Sequence, residues 1–428
     1  MHLNEADSAQ CIQWEDELVD QYQALKARGL NLDITRGKPS ADQLSLSDEL
    51  DGILENNYRA ADGTDTRNYG GLDGLPEAKQ LGGALLGLPA DNVLVGGNSS
   101  LTLMYQALIT NRLYGANGPA SAWQNHGLVK FICPVPGYDR HFTATQETLG
   151  IDMVTVPMTP IGPDMDAVES LIKTDPAIRG LWCVPRFSNP TGVVYSDETV
   201  ERIAALGKIA HPSFRVFWDN AYAVHALYDN APALANIWDY CQKRGTEDSV
   251  LQFASTSKIT HAGAGVAFLG ASAKNLAAFK QRLSAMTIGP DKVNQLRHCK
   301  FLSDLAAITA HMTKHAELLR PRFETVVNKL EAAFADSDLG SWEKPQGGYF
   351  VAFDSRPGCA KEIVRLAAEA GVKLTPAGAT FPYGLDPADR NIRIAPSVPT
   401  VAEIDKAMDV FVVCVKLASV RARMKELR

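Results

Sequence analysis

The chain carries no excess of positive charge. Its 428 residues hold 42 Lys and Arg against 49 Asp and Glu, a formal charge of −7, so no overall positive field exists to grip a phosphate backbone and nucleic acid is set aside as partner. Long apolar runs are also missing. The stretches around Leu81 to Leu88 and Val410 to Val415 are broken or ended by glycine or lysine and fall well short of the ~20 residues a spanning helix needs, which excludes an integral membrane protein. Residues Met1 to Asp7 have neither a basic n-region nor an apolar h-region, so export is not expected and a cytoplasmic location is. The seven cysteines, at 11, 133, 183, 241, 299, 359 and 414, include no CxxC pair. Such widely spaced thiols are expected to stay free in a reducing compartment, with no structural zinc or other metal. No repeat, low-complexity tract or long charge run marks a linker. At about 150 residues per domain, the length suggests two to three domains, or one large domain with a satellite.

Organisation comes from the alternation of elements. Residues 8 to 28 read as an amphipathic helix, with Ser8 as N-cap, Trp14, Leu18, Tyr22 and Leu25 at helical spacing, and Gly29 beyond its end. From about residue 72, β-rich runs (Val93 to Gly96, Val129 to Pro134, Met153 to Pro157, Gly180 to Pro185, Arg215 to Asp219, Val250 to Ala254, Val266 to Gly270) alternate with helical patterns such as Leu101 to Tyr114, Asp197 to Ala210 and Ala273 to Met286. This predicts an α/β fold, a mainly parallel seven-stranded sheet sandwiched by helices. After a helical stretch over 292 to 335 come a strand (Gly347 to Asp354), a helix (Lys361 to Ala370), short strands near Val372 and Ile392, and a terminal helix from Val401. The resulting division is an N-terminal segment (1–47) packing with a small α+β domain (321–428), around a large α/β domain (48–320).

Ligands of doubly wound sheets sit beyond the carboxyl ends of the strands, and four such places carry polar chemistry. Gly96-Gly97-Asn98-Ser99-Ser100 opens a helix and offers backbone N–H groups and hydroxyls to an anion; it is also an ordinary capped turn. Ser188-Asn189-Pro190-Thr191-Gly192 is by itself a good turn. Asp219-Asn220-Ala221-Tyr222 delivers an acid at a strand end, and Ser255-Thr256-Ser257-Lys258 a lysine after hydroxyl residues. Each alone is weak.

Their order along the chain, together with Gly37-Lys38-Pro39 near the start and Asn391-Ile392-Arg393-Ile394-Ala395 near the end, resembles the class I aminotransferases of the fold-type I pyridoxal 5′-phosphate (PLP) enzymes. More narrowly, Leu32 to Ser40 and Pro134-Val135-Pro136-Gly137-Tyr138-Asp139 resemble an actinobacterial aspartate aminotransferase subgroup. The resemblance implies that Lys258 holds PLP as a Schiff base and acts as general base and acid, that Asp219 pairs with the pyridinium nitrogen, and that Tyr222 and Asn189 bond the phenolic oxygen. It assigns Gly97, Asn98, Ser99, Ser255 and Ser257 to the phosphate, and Tyr69 to the phosphate of a neighbouring subunit, hence a homodimer with shared sites. Arg393, helped by Gly37, would grip the substrate α-carboxylate. Two departures stand out: an arginine usual after the lysine is replaced by Gly265 or Val266, leaving Lys292 as a candidate cation, and the usual ring-stacking position is Pro136, so stacking passes to Tyr138.

An acidic substrate needs a second cation. Arg36, Lys38, Arg140 and Arg186 lie beside motif positions, and Arg36 is preferred. Aspartate:2-oxoglutarate transfer is the expected reaction; transamination of aromatic amino acids, alanine or 2-aminoadipate, and a PLP-dependent lyase, stay open. A PLP-sensing transcription regulator is disfavoured because only about thirty residues precede Arg36, and Gly263-Ala264-Gly265 lacks the third glycine of a dinucleotide loop.

Overall fold

Strands buried on both faces read as continuous hydrophobic runs, and the central runs here are of that kind. The computed structural model describes residues 1–146 and 149–428. Its strands are β1 (Leu32–Asp33), β2 (Val93–Val95), β3 (Lys130–Val135), β4 (Asp152–Thr159), β5 (Gly162–Pro163), β6 (Ile178–Cys183), β7 (Arg215–Asp219), β8 (Val250–Ser255), β9 (Ala267–Gly270), β10 (Gly340–Trp342), β11 (Val351–Ser355), β12 (Val372–Lys373) and β13 (Asn391–Ile394). The large sheet runs β2-β9-β8-β7-β6-β3-β4-β5. The pairs β4–β3–β6–β7–β8 are parallel, whereas β9 is antiparallel to both its neighbours. The seven expected strands are present; an eighth, β5, is a two-residue edge strand folded back on β4.

Aromatic packing fixes the sheet's interior. Phe131, Trp182 and Phe217 lie within 4.8 to 5.8 Å of one another, and Phe253 stacks 5.8 Å from Phe217. Gly180 makes room for this cluster, since a Cβ there would fall 2.1 Å from the Phe131 ring. Side chains alternate along a strand, so Asp219 emerges on the same face as Phe217, at the carboxyl end of β7.

The N-terminal helix Ser8–Lys26 is capped by Asp7, not Ser8, in a reciprocal capping box with Gln10. Its apolar side joins Leu3, Cys11, Leu18, Tyr22 and Leu25 to a core shared with the C-terminal helix Val401–Glu426 and the antiparallel sheet β10-β11-β13. β1 pairs in parallel with β12, tying the segment before Arg36 to the C-terminal part of the chain. The helical stretch from 292 divides into Lys292–Phe301 and Leu305–Phe334. No helix among the described residues is long and apolar enough to cross a membrane.

Candidate active site

The carboxyl ends of the central strands converge on a cavity of about 160 Å³ lined by Gly37, Ser99, Tyr138, Asn189, Asp219, Tyr222, Ser255, Ser257, Lys258 and Phe350, among others. Gly97, Asn98 and Arg393 flank it without lining it, and Arg36 and Tyr69 stand outside.

Asp219 is buried at 2% exposure. One oxygen, Oδ2, lies 2.9 Å from His141 Nε2. His141 stacks on Trp182, with centroids 4.1 Å apart and planes at 10°. The Trp182 indole N–H donates to Thr145 Oγ1 (2.9 Å), whose hydroxyl donates to the His141 carbonyl (2.6 Å). The ring is thereby locked against the acid. The other oxygen, Oδ1, is buried without a partner among the described residues. A buried acceptor left unpaired costs about 1–3 kcal/mol, so this oxygen is poised for an N–H donor entering the cavity. His141 was not anticipated from the sequence: it sits on the helix Asp139–Gln146, and only the tertiary fold brings it to Asp219.

The Lys258 Nζ stands 5.1 Å from the centroid of the Tyr222 ring. Burial pulls its amine below the ordinary lysine range, with the Asp219 carboxylate opposing. Tyr222 and Tyr138 are pushed up, burial being the main cause in each. Tyr138 packs edge-on to His141 at 4.9 Å. The structure thus holds an amine of lowered proton affinity, an anchored carboxylate and two phenols of raised pKa around one space.

Ser99 is the N-cap of the helix Ser100–Ile109, but its hydroxyl makes no capping bond. Neighbouring groups brace the loop: the Ala267 amide donates to Gly97 O (2.7 Å), the Asn98 side-chain amide to Gly263 O (3.1 Å) and the Ser257 hydroxyl to Asn98 O (2.7 Å). Asn98 and Ser257 are therefore engaged in holding the turn, which leaves its N–H groups and the Ser99 hydroxyl for an anion. A side chain at 265 has little room, because its Cβ would lie 3.0 Å from the Ser257 amide nitrogen. Lys292 does not replace the missing arginine. Its ammonium is buried against the carbonyls of Asn68 (2.8 Å) and Gly70 (2.6 Å), bracing the loop that presents Tyr69 to solvent at 80% exposure.

Arg393 is 6% exposed. Its Nη1 donates to Asp139 Oδ1 (2.9 Å) and Asn189 Oδ1 (3.3 Å), and its guanidinium lies 4.9 Å over the Phe350 ring. Gly37 abuts that ring so closely that a Cβ would fall 2.5 Å from it. Arg36, Lys38 and Arg140 are exposed. Arg186 turns away from the cavity to the carbonyls of Ala223 and Pro232.

The chain is similar to known proteins over nearly its whole length. The profile of the aspartate amino-transferase family matches residues 7–427. The chain is 46% identical to a putative aminotransferase of Mycolicibacterium smegmatis, over 94% of each chain. It is 44% identical to an aspartate aminotransferase of Corynebacterium glutamicum, over 97% of this chain and 96% of that one. The crystal structure of an aspartate transaminase from C. glutamicum superposes with a TM-score of 0.95 at 43% identity, covering 99% of both chains.

Proposed function

This chain belongs to the aspartate aminotransferase family and is a transaminase, and from that premise we propose that it moves the amino group of L-aspartate to 2-oxoglutarate in two half-reactions, with PLP held at Lys258. The observation that carries the proposal is the pairing, in one cavity, of a half-buried lysine whose pKa desolvation lowers with a buried carboxylate whose Oδ1 has no partner among the described residues. A pyridinium N–H is the donor that oxygen fits, and the Lys258 amine fits an aldehyde.

PLP, when bound, supplies an electron sink for the pair released at the substrate Cα. The chain's own residues do the rest. Asp219, held by His141, keeps a proton on the ring nitrogen. Tyr222 and Asn189 donate toward the phenolic oxygen, and Tyr138 covers a ring face. Gly97, Asn98 and Ser257 through their backbone N–H groups, with the hydroxyls of Ser99 and Ser255, would form the phosphate end, joined by Tyr69 from a second copy in a homodimer. Arg393 and Gly37 orient the α-carboxylate, and Arg36 meets the distal one. The Lys258 amine, its proton affinity lowered by burial, would serve as the base that takes the Cα proton and the acid that gives it back. Lys258→Ala abolishes turnover.

The test is the absorbance spectrum of purified protein with PLP, before and after L-aspartate without an acceptor. A visible band that gives way to a near-ultraviolet one supports cofactor, half-reaction and substrate together. A band that moves only with another amino acid overturns the aspartate assignment. No band overturns the cofactor assignment.

A further inference from the structure

Behind Lys258 lies a buried polar relay that the reaction scheme leaves unused. The lysine's own carbonyl accepts from His225 Nε2 (3.2 Å) and from the Tyr349 hydroxyl (3.4 Å). Tyr349 Oη in turn accepts from Gln43 Nε2 (3.1 Å). Gln43 Oε1 accepts from the Ser40 amide (3.2 Å), which fixes the orientation of its amide, while the Ser40 hydroxyl donates to the Asp42 carboxylate. The second Nε2 hydrogen therefore points at His315 Nδ1, 3.0 Å away. That nitrogen must be the acceptor, so the His315 proton sits on Nε2, which faces His311 (3.2 Å) and the Ile259 carbonyl. His311 Nε2 donates to the same carbonyl at 2.7 Å. Donors from three separate parts of the chain thus converge on two consecutive carbonyls, those of Lys258 and Ile259.

The relay also runs the other way. Ser40 Oγ accepts from Arg322 Nη1 (2.7 Å), which also donates to the Ser397 carbonyl (2.7 Å). The Ser397 hydroxyl donates to the carbonyl of Lys38 (2.8 Å), the residue after Gly37. Gln43, His315, Tyr349 and Ser397 are each 0% exposed, so water offers these groups no alternative partners and breaking one link strands the next.

We infer that Gln43 and Tyr349, steadied by His315, are positioning residues that couple seating of a carboxylate at Gly37 to the placement of Lys258, an inference that rests on the aminotransferase reading above. Besides its own turns, with the Ile259 and Thr260 amides donating to Thr256 O at 2.8 Å each, the loop after β8 is tied by the Ser257 hydroxyl to Asn98 O (2.7 Å) and by Thr260 Oγ1 to His298 Nε2 (2.8 Å). The relay is its link to the carboxylate end.

The experiment is hydrogen exchange of the segment 256–262 in PLP-loaded enzyme, with and without the non-reactive dicarboxylate succinate. In the native protein succinate slows exchange there by about fivefold or more. In Tyr349→Phe, and in Gln43→Met, the visible band and the succinate dissociation constant stay within about threefold while that protection is lost. Tyr349→Phe removes one hydroxyl and decides the matter if Gln43→Met does not fold. Protection that persists in the folded variants, or that is absent from the native protein, overturns the inference. A protein that never develops the visible band removes the functional reading beneath it instead.

Discussion

If Arg393 takes the substrate carboxylate as proposed, Asp139 already occupies the guanidinium the carboxylate has to claim, and Asp139→Asn is expected to tighten substrate binding. In the structure Arg393 Nη1 donates to Asp139 Oδ1 at 2.9 Å, and the side chains are 7% and 32% exposed. A hydrogen bond to a charged group contributes about 1.5–3 kcal/mol, and partial exposure of Asp139 argues for the lower end. At 1.4 kcal/mol per decade, an incoming α-carboxylate loses roughly tenfold in affinity to this resident competitor. Asparagine still accepts a hydrogen bond but without the charge, so succinate is expected to bind about five- to tenfold more tightly and KM for L-aspartate to fall by the same factor, with kcat within about twofold. A general gain from deleting one negative charge near the mouth would vanish in high salt, where the screening length falls to about 3 Å at 1 M. The contact effect persists there. An unchanged or weaker succinate affinity, or a gain that salt erases, refutes the reasoning and makes Asp139 an aligner of Arg393 rather than its competitor.

Three other outcomes are expected. Asp219→Asn keeps the His141 contact in shape but not in charge; kcat falls by about 10²–10³-fold while PLP is still taken up, and activity within tenfold of native refutes the role. Lys292→Met removes the ammonium that ties Asn68 O and Gly70 O; PLP retention through dialysis weakens by about tenfold as the Tyr69 loop loosens, and unaltered retention refutes the bracing. His225 and His315 are pulled down to about 3 and about 4, chiefly by burial, from an unfolded value near 6.5. Below that pH the unfolded chain takes up protons the native one refuses. Their contribution is full above about 6.5 and is lost as pH falls, at up to about 1.4 kcal/mol per pH unit for each. Urea unfolding between about pH 6.5 and 4.5 should show a shallower decline by one proton in His315→Gln; parallel slopes refute it.

Much of the architecture was legible because both periods were clean. The strand runs beginning at Val93 and Arg215 carry no polar interruption before their ends, the run from Val250 carries only Gln252, and each appears within a residue or two of the expected bounds. The cap of the first helix was misjudged by one residue, since Asp7 and Ser8 are both good caps and only the pairing with Gln10 separates them. β5 was unreadable: two residues, Gly162 and Pro163, hold no periodic signal. Lys292 was legible as a stray cation but not as a brace, because its partners are carbonyls more than 200 positions away, which carry no sequence signature.

The sequence by itself determined the alternation that makes a parallel sheet, and the order in which an anion turn, an acid, a lysine and an arginine follow its strands. Those are local properties, set by period, turn chemistry and residue type. Tertiary structure alone decided that His141 meets Asp219, that Arg393 is already held by Asp139, and that His225 and Tyr349 reach the carbonyl of Lys258. Each depends on side chains from distant segments meeting in space at hydrogen-bond range, and no residue type or spacing along the chain encodes that distance.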